Sequence, residues 1–355
     1  MKTPRPPRPT QTNGVQVPAG HRVRDRLGSG HSSNLVAGSD GAPGPRMTRR
    51  TAVLALGAGL ATLGGCGLRL GKGSPASLPT ASTAESARDG LARQAALISS
   101  TAGVVSQASG TDATTAALAE GVKHTADAQL ETLGGVWEPW ASQVPSSYPT
   151  VAPVPSPSAD ATTQDLAAAL SDGSTMARRA AIGAASEQDA RLFTSLTVAW
   201  SLQHSLFIQE GSEDTPRVDV AQGSKISAGL LTSYDAARYA MEEIAARSDE
   251  PQRTQATQDA KAATSVVNAA VAAGSEDARL GAYAAPAESS DPAVSVEVSW
   301  ARQVWSGIVS AEVQEAGSAK VSTPAREAAV TGAVDAARRA TAWGADFSSL
   351  PGYAA

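Results

Sequence analysis

Glu120, His124, Asp127 and Glu131 stand at i, i+4, i+7 and i+11, so on a helix they share one face. Carboxylate and imidazole donors at that spacing suit a divalent cation, with His204 as a further ligand from another segment. The competing reading is a solvated polar face, because Leu118, Val122, Ala126, Leu130 and Leu133 form a separate apolar stripe on the same segment. The solvated face is preferred, and no metal is expected. A di-iron centre in a helical bundle needs bridging carboxylates and two Glu-x-x-His pairs. The chain has no Glu-x-x-His, and beyond Cys66 its histidines are His124 and His204. His204 follows Trp200 by one turn on the apolar side and reads as a buried, hydrogen-bonded histidine. Gly-x-Ser-x-Gly is absent, and Gly71-Lys72-Gly73-Ser74 lacks the glycine spacing and strand of a phosphate loop. No catalytic residue and no cofactor is expected.

The side chain with a definite chemistry is Cys66. It is the sole cysteine, which excludes an internal disulfide and a cysteine-rich metal site. Arg46, Arg49 and Arg50 precede an apolar run from Thr51 to Leu63, shorter than the ~20 residues a spanning helix needs. The run suits a signal-peptide core. It ends in Leu63-Gly64-Gly65-Cys66, which resembles the bacterial lipobox, where the thiol is diacylglycerated and cleavage makes cysteine the first residue. The implied partner is the lipid bilayer, held through acylated Cys66 at the extracytoplasmic face of the cell membrane. Several acyl chains anchor stably where one holds marginally. Thr48-Arg49-Arg50-Thr51-Ala52-Val53-Leu54 also resembles a twin-arginine export signal, so both that route and general secretion stay open.

Charge separates the same two parts. Of 29 Lys/Arg and 34 Asp/Glu, nine and two lie in residues 1–65, which leaves 20 against 32, or −12, from Cys66 onward. An acidic body argues against nucleic acid, whose phosphates require cationic side chains. It also argues against a polybasic membrane patch.

Residues 1–46 are rich in Pro, Gly, Ser and Arg without apolar periodicity. They are expected to be a disordered extension, or a start-site artefact if Met47 opens the signal peptide of residues 47–65. A tether, 66–82, leads to an N-terminal helical domain, 83–210, and a C-terminal helical domain, 223–355. The Pro-rich linker 145–158 interrupts the first and is expected to be extended. Abundant alanine with few aromatics favours closely packed helices, so the expected class is all-α.

Eight helices are expected, near 83–108, 112–133, 160–184, from Ser186, 224–248, 252–273, from Asp291-Pro292 and from Thr323-Pro324. Ser186 to Asp189 is expected to form a capping box, with Asp in place of Glu. Val294, Val296 and Val298 alternate as a strand would, yet Trp305, Ile308 and Glu312 carry a helical spacing, and helix is favoured. Two packed four-helix bundles are preferred over one irregular domain. Trp137, Trp140 and Tyr148 around the linker are read as plugging a bundle end, with an exposed aromatic surface as the alternative.

Cys66-Gly67-Leu68-Arg69-Leu70 and Ala128-Gln129-Leu130-Glu131-Thr132-Leu133-Gly134-Gly135-Val136-Trp137 resemble segments of a group of actinobacterial lipoproteins without assigned activity. Residues 228–353 resemble their ferritin-like domain at Tyr234, Tyr239, Ala282-Tyr283-Ala284-Ala285-Pro286, Trp343 and Leu350-Pro351-Gly352. The resemblance implies ferritin-like four-helix bundles and no activity. The expected role is a noncatalytic, membrane-anchored binding or scaffold protein, with a protein of the cell envelope as candidate partner. The alternatives are a metal-binding redox or storage protein, and a small-ligand carrier with an apolar pocket between the halves.

Overall fold

The computed structural model describes residues 81–138, 152–208, 225–289, 291–318 and 322–353. The described residues form eight helices and no strand: α1 (Thr83–Gln107), α2 (Ala113–Leu133), α3 (Thr163–Gly183), α4 (Glu187–Ser205), α5 (Ala228–Arg247), α6 (Gln252–Ala272), α7 (Val296–Gly317) and α8 (Thr323–Ala342). The expected all-α class with two packed halves is what the chain adopts. The eight helices lie in one compact unit, residues 74–355.

Local signals explain most boundaries. The Ser82 and Thr162 hydroxyls cap α1 and α3, and Glu85 and Asp165 reach back to the cap N–H groups, two reciprocal boxes. At α4 the expected box is incomplete. Ser186 does cap the helix, but the Asp189 carboxylate takes the Ser186 hydroxyl and the Arg88 guanidinium, at 2.7 Å from each. Helix α7 starts at Val296 under a Ser295 cap, four residues beyond the expected Asp291. Asp291 closes its own turn instead, accepting from the N–H groups of Ala293 and Val294, so the chain must turn again before the helix. Val296 and Val298 are helical, which settles the strand-like alternation. Ser322 is the cap of α8, so Thr323 and Pro324 are its first two residues.

Consecutive helices pair as hairpins, α1 with α2, α3 with α4, α5 with α6 and α7 with α8. In each half the first and third helices also pack, and they run antiparallel. Gln94 Nε2 donates to the Ala169 carbonyl while Gly90 lies against Met176. Likewise Ser227 bonds Glu315 and Tyr234 bonds Glu312, whereas Tyr239 meets Trp300. Each half is therefore up-down-down-up, with one long crossover, residues 134–162 in the first and 273–295 in the second.

Each half has its own core. Leu91, Ile98, Leu166, Leu170, Phe193 and Trp200 centre the first, and Tyr234, Met241, Ile244, Trp305 and Ile308 the second. Buried alanines fill the gaps between them, which allows close helix approach. The halves meet where α4 packs on α7 and α8, and α3 on α8. Arg326 of α8 ties this seam: its guanidinium donates to the Ala316 carbonyl of α7 and to Ile182 and Ala184 at the end of α3. A cation at two helix C-termini satisfies carbonyls that lack helical partners.

The end of the chain crosses back to the first half. Leu350 joins its core, and the Ser349 carbonyl accepts from Gln129 Nε2 at 2.7 Å. Gln129 Oε1 in turn accepts from the buried Trp200 indole N–H at 2.7 Å. Gln129 is fully buried, so Gln129→Leu strands a donor and an acceptor. The expected loss is about 2 kcal/mol or more in equilibrium urea unfolding. An unchanged midpoint would show that the amide holds nothing.

Candidate functional site

The residues singled out for metal chemistry are not gathered. Glu120 and His124 face each other across one turn of α2 at 3.1 Å, both exposed. Asp127 turns instead to the Ser99 hydroxyl, at 2.5 Å, and to Lys123, at 3.3 Å. His204, in the last turn of α4, is half-buried with no side-chain hydrogen bond among the described residues, contrary to the expected bonded histidine. Burial and the nearby Arg338 cation hold its imidazole below the ordinary range. Among the described residues no group of three or more His, Cys, Asp and Glu is arranged to hold a metal. Trp137 is partly buried and its backbone N–H donates to Asp89. Cys66, Leu63, Gly64, Gly65, Arg49 and Arg50 lie outside the described residues, as do Trp140, Tyr148 and residues 145–151 of the linker.

Further polar layers run through the interior of the second half; of their residues Tyr234, Tyr239, Tyr283 and Trp343 had been marks of resemblance and Trp305 and Glu312 helix spacing, while Asp235, Asp259, Asp335 and Arg339 had carried no signal. Tyr234 of α5 donates its hydroxyl to Glu312 Oε1 of α7 at 2.5 Å, and both are buried. The carboxyl lies against Gly332 of α8, where any Cβ would sit 2.1 Å from Glu312 Oε1. Burial raises the Glu312 carboxyl to about 8; the Tyr234 hydrogen bond opposes this, while Glu315 and Asp335 add to it. At neutral pH this is mainly a neutral carboxylic acid held by a phenol. Burial, with the Glu312 carboxyl beside it, also pushes the Tyr234 hydroxyl well above its usual range.

One turn along α8 from Gly332 begins a second polar layer. Arg339 forks between Asp335, at 2.8 Å from Nε, and Asp259 of α6, at 2.6 Å from Nη1. The other Asp259 oxygen accepts from Trp343 Nε1 at 2.8 Å. The same guanidinium sits 5.2 Å from the centre of the Trp305 ring, a cation–π contact. Burial raises the Asp259 carboxyl, and the Trp343 and Arg339 hydrogen bonds pull it back in part. At the edge, Asp235 takes the Tyr283 hydroxyl at 2.8 Å and the Arg238 Nε at 2.8 Å. Tyr239 packs beside the rings of Tyr283 and Trp300.

These groups are matched to one another across four helices, which fixes helix register and rotation. Their titrating atoms bond protein partners. Among the described residues there are concave surfaces that reach solvent. One, of about 440 Å³, lies between the 273–295 crossover and the end of α8, with Arg302, Gln303, Glu288 and Asp346 on its walls. Arg302 is committed there, its Nε donating to the Trp343 carbonyl at 2.8 Å. Another, of about 190 Å³, opens on the seam between the halves. Its lining is mixed, hydroxyl and charged side chains beside Val334. Comparison of the chain with family models, curated proteins and solved structures finds no match.

Proposed function

We propose that the chain is a lipid-anchored protein of the extracytoplasmic membrane face, with a noncatalytic binding or scaffold role carried by a rigid helical body. The observation that carries the noncatalytic part is the pairing of its interior ionisable groups. Glu312 is held by Tyr234, Asp259 by Arg339 and Trp343, and Asp189 by Arg88. A general acid or base must face the atom that it protonates or deprotonates; these carboxylates face helix partners. The anchor reading rests on Leu63-Gly64-Gly65-Cys66. No helix among the described residues is long and apolar enough to cross a membrane.

Two features support a ferritin-like reading of each half. The up-down-down-up course with one long crossover is the connectivity of that bundle class. The resemblance marks Tyr234, Tyr283 and Trp343 are also the residues that bind the helices of the second half together. Fold alone carries no activity with it.

Cys66→Ala is expected to abolish acylation and shift the protein from the membrane fraction to an unprocessed or released form. Membrane fractionation with intact-mass measurement of the mature N-terminus reads this. Tight membrane attachment of the variant would refute the lipid anchor.

A further inference from the structure

The pocket on the seam between the halves has the wrong charge balance for a purely structural contact. Arg178 of α3 and Arg338 of α8 line it, along with the hydroxyls of Thr175 and Ser201 and the carboxylate of Asp335. Arg178 has a partner in Glu327 at 3.2 Å, and Asp335 is gripped at both oxygens by Arg339. Arg338 makes no hydrogen bond and no ion pair among the described residues, although it is half-buried. The Thr175 and Ser201 hydroxyls are likewise without hydrogen bonds there. Arg338, Thr175 and Ser201 therefore present donors at the pocket that no protein group takes up, with the Asp335 carboxylate acting on Arg338 only through space.

An anion would complete this arrangement. Guanidinium groups and hydroxyls are donors, and arginine matches phosphate geometry with paired N–H groups. The volume, about 190 Å³, is below the ~300 Å³ at which drug-sized ligand pockets begin, so the occupant is small. Asp335 on the wall adds a selection rule. Its carboxylate can only accept, so it repels an anion without a proton and favours one that can donate an O–H. Hydrogen phosphate carries such a proton at neutral pH, and sulfate does not.

We propose that the seam pocket binds hydrogen phosphate, with Arg338 as its principal cation, Thr175 and Ser201 as donors and Asp335 accepting the phosphate proton's hydrogen bond. The site draws its walls from α3, α4 and α8, so an occupant would hold the two halves together. This rests on the binding role proposed above and names its ligand class. A small phosphate monoester shares the guanidinium contacts but, with a second pKa of about 6, is mostly a dianion without an O–H at neutral pH, so it is expected to bind more weakly than inorganic phosphate.

Isothermal titration of the full chain with inorganic phosphate, glycerol phosphate and sulfate, at constant chloride, tests the assignment. Saturable phosphate binding is expected, with sulfate at least about tenfold weaker. Arg338→Gln, which removes an unpaired charge, should keep the melting temperature and weaken phosphate by at least about tenfold. Ser201→Ala should weaken it several-fold, and Arg247→Gln, at the end of α5, should leave it unchanged. A monoester that binds where inorganic phosphate does not would overturn the role given to the phosphate proton. Absence of saturable binding by either, sulfate bound as tightly as phosphate, or binding indifferent to Arg338→Gln would each overturn the proposal. Membrane fractionation of Cys66→Ala reads the anchor independently, so failure of one leaves the other standing.

Discussion

Glu312→Gln is expected to flatten the pH dependence of stability between about pH 4.5 and about 8. The buried carboxyl is raised from 4.5 to about 8, so across that window the folded chain keeps a proton that the unfolded chain gives up. Stability changes with pH as the difference in bound protons, unfolded minus folded, and here that difference is negative. This group therefore imposes no pH-linked penalty below about pH 4.5. The penalty grows as pH rises and levels off above about 8, at a size on the order of a few kcal/mol. Gln keeps the acceptor oxygen for the Tyr234 hydroxyl and never ionises. Urea midpoints of both proteins at several pH values provide the measurement. The variant should gain steadily on the parent as pH rises, whatever constant offset its extra amide N–H introduces. A difference that stays constant would show that Glu312 is not carrying a proton in the folded state.

Gly332→Ala should be among the most damaging small substitutions in the chain, although Ala is favoured over Gly inside a helix by about 1 kcal/mol. The added methyl would fall 2.1 Å from Glu312 Oε1 and 2.6 Å from Cδ. Glu312 is buried and held by Tyr234, so its carboxyl can withdraw only by giving up that hydrogen bond. Overpacking of this kind costs about 1–3 kcal/mol, and breaking a buried hydrogen bond adds to it. The double variant Gly332→Ala, Glu312→Ala removes the clash and should recover much of the loss. A double-mutant cycle by thermal unfolding measures the coupling. Additive effects of the two changes would mean that Gly332 has some other role.

Both predictions concern side chains whose importance depends on a partner more than seventy residues away, apart from the Glu312–Gly332 pair, which meets across the α7–α8 hairpin. That is why the polar layers were not readable as layers. Tyr234, Tyr283 and Trp343 were visible as isolated marks, and Glu312 only as one more position in a helical repeat. Nothing in the linear order says that a phenol on α5 meets a carboxyl on α7, since register between helices is set by packing. Linear order was equally silent on which of Glu120, His124, Asp127 and His204 would meet. Three of these share α2, but His204 lies by Arg338 and Asp127 prefers Ser99.

What the sequence determined by itself was local: eight helices and most of their ends. Capping hydroxyls, apolar periodicity and proline act within a few residues, so they survive being read in one dimension. The lipobox-like Leu63-Gly64-Gly65-Cys66, on which the proposed anchor rests, is a signal of the same kind, four consecutive residues read by their order. Only the tertiary structure decided that the interior carboxylates hold helices together, that Gly332 makes room for one of them, and that Arg338 lies unpaired in a pocket at the seam. Those depend on desolvation and on distances between helices remote in the chain, and the energy of a buried charge is set by its neighbours in space.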